Sequence, residues 1–228
     1  MRGIIQVAGV RDRAEAEMLV ASGVDWLGFP FRLAYHREDL PEAEAAAIIR
    51  ELPPGVAALL ITYLATADAV AALCDRLGVA GVQLHGAMPL AELAALRARR
   101  PHLRLLKSLI VRPDDDGAAL AAAVAETAPY VDGYLTDTFD PATGATGATG
   151  LAHDRAVDRR LVAASPHPVL LAGGLTPDTV RAAIQAVAPA GVDVHTGIEG
   201  PDGRKAPDLT RRFVAAARAG FAELGGPA

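Results

Sequence analysis

The chain has 228 residues, 51% of them hydrophobic and 21% charged, with a formal net charge of −5. That size gives one domain or two small ones with room for a sizeable core, and the composition excludes a disordered chain. The acidic balance leaves no basic footprint for nucleic acid or anionic lipid, so neither is expected as a partner.

The N-terminus enters a strand-like run at Ile4–Val7 with no long apolar targeting stretch, which sets the expectation of a cytoplasmic protein. A helical pattern over Arg13–Ser22 closes at Gly23, and a second apolar run follows at Trp26–Phe29. Pro41–Leu52 is again helical, with proline at its start. From Gly55 to Cys74 the chain is apolar over about the length of a bilayer span. Asp68 interrupts that stretch and Thr62, Tyr63 and Thr66 dilute it, so it reads as a strand, Ala57–Tyr63, and a helix, Ala67–Leu77, with no membrane partner. Cys74, the one cysteine, falls in this helix and is expected to be a small buried hydrophobe.

Beyond it the strand runs are Gly81–Leu84, Leu105–Ile110, Val131–Thr136, Val169–Leu171 and Val192–Val194. The helical stretches between and after them are Leu90–Arg99, Gly117–Thr127, Asp154–Ala164, Pro177–Val187 and Pro207–Leu224. Each strand is a continuous apolar run, the pattern of parallel strands buried on both faces. Eight strands alternate strictly with eight helices, and no linker divides them. The expected fold is therefore α/β, a single (β/α)8 barrel over residues 1–228.

Chemistry in such a barrel sits at the C-terminal ends of the strands. Gly173-Gly174 after the seventh strand and His195-Thr196-Gly197 after the eighth are small, Gly-rich ends whose N–H groups suit a phosphate. Glycine is equally the residue of tight turns, but the pair at adjacent strands favours phosphate binding by Gly173, Gly174, Thr196 and Gly197. Asp137, read as closing the sixth strand, is either a general acid or base between apolar walls or the cap of the next turn. Lys107, read as ending the fifth strand and pointing into the same mouth, would neutralise a phosphate or pair with Asp137. His85 and His195 are candidate bases or substrate contacts, and neither has the spacing of a metal site, so no metal is expected. Arg37, after the second strand, suits a bidentate contact to a substrate carboxylate. The Thr-Gly-Ala repeat within 142–150 follows the sixth strand and reads as an active-site loop rather than a linker.

With these residues the chain resembles the phosphoribosylanthranilate isomerase family over nearly its whole length. The likeness is carried by Gly28-Phe29 with Arg37, by Val82-Gln83-Leu84-His85-Gly86, by Lys107 and by Asp137. Further matches are Gly147-Ala148-Thr149-Gly150, Leu171-Ala172-Gly173-Gly174-Leu175-Thr176-Pro177, and Gly191-Val192-Asp193 leading to Gly197. The resemblance implies a cofactor-free rearrangement of N-(5′-phosphoribosyl)anthranilate into an aminodeoxyribulose phosphate. It implies that Asp137 protonates the furanose ring oxygen, that the phosphate lies against Gly173, Gly174, Thr196 and Gly197, and that Arg37 faces the anthranilate carboxylate.

The departure is on the first strand. The family pattern ends Lys-(Ile/Val)-Cys-Gly, and the resemblance makes that cysteine the base that removes the C2 proton, whereas this chain reads Gln6-Val7-Ala8-Gly9. Gln6, in place of the lysine, is counted with the substrate-binding residues. His195 replaces a small hydroxyl residue, and the loop from Phe31 to Arg37 lacks the usual Lys-Ser-Pro. His36 and His195 are imidazoles near the mouth with a suitable acidity for the lost role. Three functions follow: the family isomerisation with Asp137 as acid and a substitute base, a related barrel acting on another phosphosugar through Asp137 and His195, or a silent binder of sugar phosphates. All three take a small phosphosugar and no cofactor, and a monomer or homodimer is expected.

Overall fold

In a computed structural model, which describes residues 2–33, 38–147 and 149–225, eight parallel strands close into a barrel in sequence order. The strands are β1 Ile4–Ala8, β2 Trp26–Phe31, β3 Ala57–Thr62, β4 Gly81–Leu84, β5 Arg104–Val111, β6 Gly133–Thr138, β7 Val169–Leu171 and β8 Gly191–Val194. The helices outside them are α1 Arg13–Ala21, α2 Glu42–Arg50, α3 Ala67–Leu77, α4 Leu90–Arg99, α5 Ala118–Thr127, α6 Arg155–Ala164, α7 Val180–Val187 and α8 Pro207–Glu223. β8 closes on β1 with Gln6 opposite Asp193.

The alternation of side chains along a strand divides the core in two. Trp26, Leu59, Leu106, Leu135, Leu170 and Ala172 fill the barrel, with the Arg104 guanidinium 4.8 Å above the Trp26 ring. Leu27, Phe29, Leu60, Tyr134 and Phe213 belong to the larger core between the strands and the helices. Cys74 is buried there, and burial pushes its thiol up to about 12, so it is inert as a nucleophile. The apolar stretch from Gly55 to Cys74 is β3 and α3. Among the described residues no helix is long and apolar enough to cross a membrane.

Local chemistry sets the element ends. Asp12 caps α1 by accepting from the Glu15 N–H at 2.9 Å, and Gly78 ends α3 in the left-handed conformation at φ 73°. Three expectations are corrected. Helix α7 starts at Val180 rather than Pro177, because the Thr179 hydroxyl accepts from the Thr176 N–H at 3.0 Å and closes a separate turn first. β5 continues to Val111, so Lys107 lies in mid-strand instead of at its end. β6 runs to Thr138, which makes Asp137 its penultimate residue, paired across the ladder with Ile110.

Candidate active site

A cavity of about 330 Å³ opens at the C-terminal ends of the strands, within the usual range for a small-molecule site. Its floor is polar. Ala8, His85, Asp137, Asp193 and His195 line it, and all five stand at inward positions of their strands or just beyond the strand ends. A narrower pocket continues from it between Gly173-Gly174 and Thr196-Gly197, and Asp137 lines both.

Asp137 is buried, with Oδ1 accepting the Thr138 N–H at 2.8 Å and Oδ2 4.0 Å from His85 Nε2. Burial raises its pKa against the opposing pull of His85 and of the Thr138 N–H. Its carboxyl therefore keeps a proton to higher pH than an ordinary aspartate. His85 Nε2 lies 2.5 Å from the Thr146 carbonyl oxygen, and a carbonyl can only accept, so that nitrogen carries the hydrogen. His85 Nδ1 meets the Ser108 hydroxyl at 2.9 Å. The Tyr63 hydroxyl donates to the same Thr146 carbonyl at 2.7 Å. Tyr63 and His85 thus hold the loop after β6 across the barrel mouth, as expected for an active-site loop. Gly147 in this loop has φ 87°, and a Cβ there would fall on the Asp137 carboxylate and the His85 ring, so only glycine lets the chain pass so close.

On the opposite wall, the His195 imidazole lies over the end of β1, where a Cβ on Gly9 would strike its Nε2. The same Nε2 is 3.5 Å from Glu199 Oε1, which is also 2.7 Å from the buried Lys205 ammonium. Two residues before His195, on the same inward face of β8, Asp193 is only 6% exposed and its Oδ1 has no hydrogen-bond partner among the described residues. Burial, then the negative charge of Asp137, pushes its pKa up to about 7, with the Gln6 amide and Lys205 opposing.

The loop after β7, expected to hold a phosphate, has a structural support in Arg155. The Arg155 guanidinium donates to the carbonyls of Ala172 at 3.0 Å and Gly173 at 2.6 Å, and is itself held by Asp158 at 3.1 Å. In a trans peptide the N–H points away from the carbonyl. Arg155 therefore holds the N–H groups of Gly173 and Gly174 on the side away from itself. Both glycines have positive φ, 83° and 62°. Both line the narrower pocket, so their N–H groups are the candidates to meet a phosphate there.

Two expected site residues are placed elsewhere. Lys107 faces the helix layer, because the even-numbered residues of β5, Leu106 and Ser108, take the inward positions. Its ammonium donates to the Gly86 carbonyl at 3.0 Å, and burial brings its pKa down to about 8. Gln6 points inward but lies beneath the cavity, fully buried, with Nε2 on Gln83 Oε1 at 2.8 Å. It therefore supports the floor through Gln83, which lines the cavity where Gln6 does not. Arg37 and His36 lie outside the described residues. An expected result follows for the lysine. Lys107→Met leaves kcat/KM within about two-fold of wild type in a steady-state assay, because it removes a desolvated charge that faces away from the cavity. A lysine that contacted the phosphate would instead cost tenfold or more.

Asp193, Tyr63, Gln83, Ser108 and Arg155 also contribute to the site, and none is among the residues to which the sequence assigns a role. For Asp193 a signal was present: a carboxylate inside an apolar strand, two positions before His195, has to share its face.

The sequence profile of the N-(5′-phosphoribosyl)anthranilate (PRA) isomerase family matches residues 5–216. The chain is 33% identical over 218 residues to N-(5′-phosphoribosyl)anthranilate isomerase 2 of Methanosarcina mazei, covering 95% of each chain. It is 38% identical over 214 residues to the N-(5′-phosphoribosyl)anthranilate isomerase of Citrifermentans bemidjiense, covering 94% of this chain and 96% of the relative. Among solved structures, the phosphoribosyl anthranilate isomerase of Thermotoga maritima superposes with a TM-score of 0.80 at 26% identity, over 96% of this chain and all of the other. A phosphoribosyl anthranilate isomerase in complex with reduced 1-(o-carboxyphenylamino)-1-deoxyribulose 5-phosphate superposes with a TM-score of 0.78 at 24% identity, over 96% of this chain and 100% of the other. Monomers generated from the dimeric phosphoribosylanthranilate isomerase of Thermotoga maritima have the same fold, with a TM-score of 0.78 at 24% identity. With the profile spanning nearly the whole barrel and relatives this similar over their full length, the chain belongs to the N-(5′-phosphoribosyl)anthranilate isomerase family.

Proposed function

We propose that this barrel converts N-(5′-phosphoribosyl)anthranilate into the corresponding 1-amino-1-deoxyribulose phosphate, an internal aldose-to-ketose isomerisation. The observation that carries the reading is the position of Asp137, a buried acid that lines both the large cavity and the pocket between the two glycine-rich loops. A sugar phosphate anchored on Gly173, Gly174, Thr196 and Gly197 brings its furanose ring to that carboxyl. Asp137 then donates its proton to the ring oxygen as the C1–O bond breaks, and the amine lone pair forms the C1=N bond.

Loss of the C2 proton gives an enolamine, which becomes the ketone when C1 gains a proton and the O2 hydroxyl loses one. His195 takes that hydroxyl proton in our reading. Its partner Glu199 stabilises the imidazolium that forms, the logic of a carboxylate-supported histidine. The proton balance closes, because Asp137 gives one proton and His195 receives one. No cofactor enters the scheme.

The direct test is turnover of N-(5′-phosphoribosyl)anthranilate by the purified protein, followed by the loss of substrate and the appearance of product. His195→Ala is expected to lower kcat by about 10- to 100-fold, the low end of what a positioned acid–base group contributes, with KM changed less than threefold. A catalytically silent sugar-phosphate binder would leave the substrate unchanged, and a barrel for another phosphosugar would turn over that sugar and not this one.

A further inference from the structure

The proton on C2 needs an acceptor, and Ala8, on the strand end that would carry one, has no ionisable atom. Resting on the isomerase reading above, we propose that Asp193 is the base of this chain, taking the C2 proton and returning it to C1. Four observations carry this.

The first is position. Asp193 lines the same cavity as Ala8 and Asp137, from an inward position on β8. β8 and β1 are hydrogen-bonded neighbours with Asp193 opposite Gln6, so Ala8 lies two residues further along the same inward face. That puts the two Cα atoms about 8 Å apart, from a rise of roughly 3.3 Å per residue and a strand spacing of roughly 4.8 Å. A base on Asp193 thus reaches the substrate from the wall next to β1, below the position of the missing thiol.

The second is an unpartnered oxygen. Asp193 Oδ1 is one of three buried side-chain atoms without a hydrogen-bond partner among the described residues. Buried carboxylate oxygens are normally paired, and an exception calls for a ligand or a reaction to complete it. The third is that, among the described residues, no ammonium or guanidinium is paired directly with the Asp193 carboxylate. Its cross-strand neighbour is the neutral amide of Gln6, which donates to Gln83 and also hydrogen-bonds the Asp193 carboxyl without bringing a charge. Lys205 is the cation that bears on Asp193, and its ammonium is held 2.7 Å from Glu199.

The fourth is the neighbouring acid. Asp137 faces the same cavity, and two carboxyl groups in one dry site raise each other's affinity for protons. With its pKa near 7, Asp193 is poised both to accept a proton and to release it at neutral pH, as a shuttle between adjacent carbons requires. His195, 3.5 Å from Glu199 through its Nε2, is kept for the O2 proton in this scheme.

The step balances. The Asp193 carboxylate takes the hydrogen from C2 of the iminium. The C2–H electron pair becomes the C1=C2 bond, and the C1=N π pair moves onto nitrogen. Asp193 then gives the proton to C1 from the C1=C2 pair, while the O2–H pair forms C2=O and the hydroxyl proton passes to His195. Nothing is oxidised by an outside agent.

The experiment compares wild type, Asp193→Asn, Asp193→Asn with Ala8→Cys, His195→Ala and Gln6→Lys, using substrate with protium and with deuterium at C2. Asp193→Asn is expected to lose about 10²–10⁴-fold in kcat, with affinity for reduced 1-(o-carboxyphenylamino)-1-deoxyribulose 5-phosphate kept within about threefold. Adding Ala8→Cys should return at least tenfold of that loss by restoring a base on β1. Gln6→Lys keeps the carboxylate and sets a cation beside it. Of the groups facing Asp193 (Asp137, His195 and Lys205) it alters none directly, so the acidic limb of kcat should move to lower pH. Asp193→Asn within about threefold of wild type, or an acidic limb unmoved in Gln6→Lys, overturns the assignment. So does a full loss in His195→Ala, if it comes with a raised C2 isotope effect. Wild type that does not turn over the substrate takes down the isomerase reading and this assignment together, while turnover with an active Asp193→Asn removes this assignment alone.

Discussion

Asp137→Asn is expected to lower kcat/KM on N-(5′-phosphoribosyl)anthranilate by at least about 10³-fold, with most of the loss in kcat, in a steady-state assay at neutral pH. The amide keeps the size of the carboxyl and can still face the Thr138 N–H and His85, so the barrel and the phosphate contacts are preserved. What it lacks is a proton acidic enough to give to the ring oxygen. The sign of the pH dependence follows from the same burial. Because the pKa of Asp137 is raised, its acid form survives above the usual carboxylate range and is lost as pH rises through the raised value. The wild-type rate should therefore fall on the alkaline side of that value, and in Asp137→Asn this limb should disappear from whatever activity is left. A residual rate that keeps the wild-type alkaline limb would assign the acid to another group. The loop after β6 belongs to the same prediction. It brings the Thr146 carbonyl and Gly147 onto Asp137 and His85, so it excludes water from the carboxyl and sustains the raised pKa.

The barrel was legible in the sequence because its signals are local and repeat. Continuous apolar runs mark strands buried on both faces, and glycine and proline mark the junctions, so all eight units are found with no end displaced by more than three residues. Asp137, His195 and the glycine loops were legible for the same reason, since they stand at or just past strand ends. The orientation of a side chain in mid-strand depends on which residue begins the inward alternation, and a shift of one position reverses it. Lys107 was misplaced in this way: β5 extends four residues beyond it, and Ser108 takes the inward place. Asp193 was hidden differently. It lies inside a short strand of otherwise apolar residues, and its surroundings are set by Gln6 and Ala8 of β1 and by Asp137 of β6. Arg155 acts on carbonyls 17 and 18 residues away, through the packing of α6 against the loop after β7. Such contacts are set by closure of the barrel and have no local spacing to reveal them.

Closure also decides the second large effect. Gly197→Ala is expected to raise KM more than about 100-fold, with a smaller fall in kcat, and to weaken inhibition by inorganic phosphate in parallel. A Cβ on Gly197 would fall on the carbonyl of Leu175, which is backbone and cannot rotate aside as a flexible side chain does. The loops after β7 and β8 must then move apart, and the N–H groups of the cradle no longer converge on one anion. Overpacking of this kind costs about 1–3 kcal/mol of stability. For a chain of this size that corresponds to a fall in Tm of roughly 2–4 °C per kcal/mol. Gly78→Ala is the matching control. Gly78 has φ 73°, so the substitution is strained, but its Cβ meets nothing within 4 Å and the site is the end of α3, on the outside of the barrel. It should cost about 1 kcal/mol of stability and leave KM unchanged. If both variants lower Tm equally and neither changes KM, the glycines at the ends of β7 and β8 serve the turn alone. A KM effect confined to Gly197→Ala places the phosphate where the two loops meet, and with it the ring oxygen of the sugar beside Asp137.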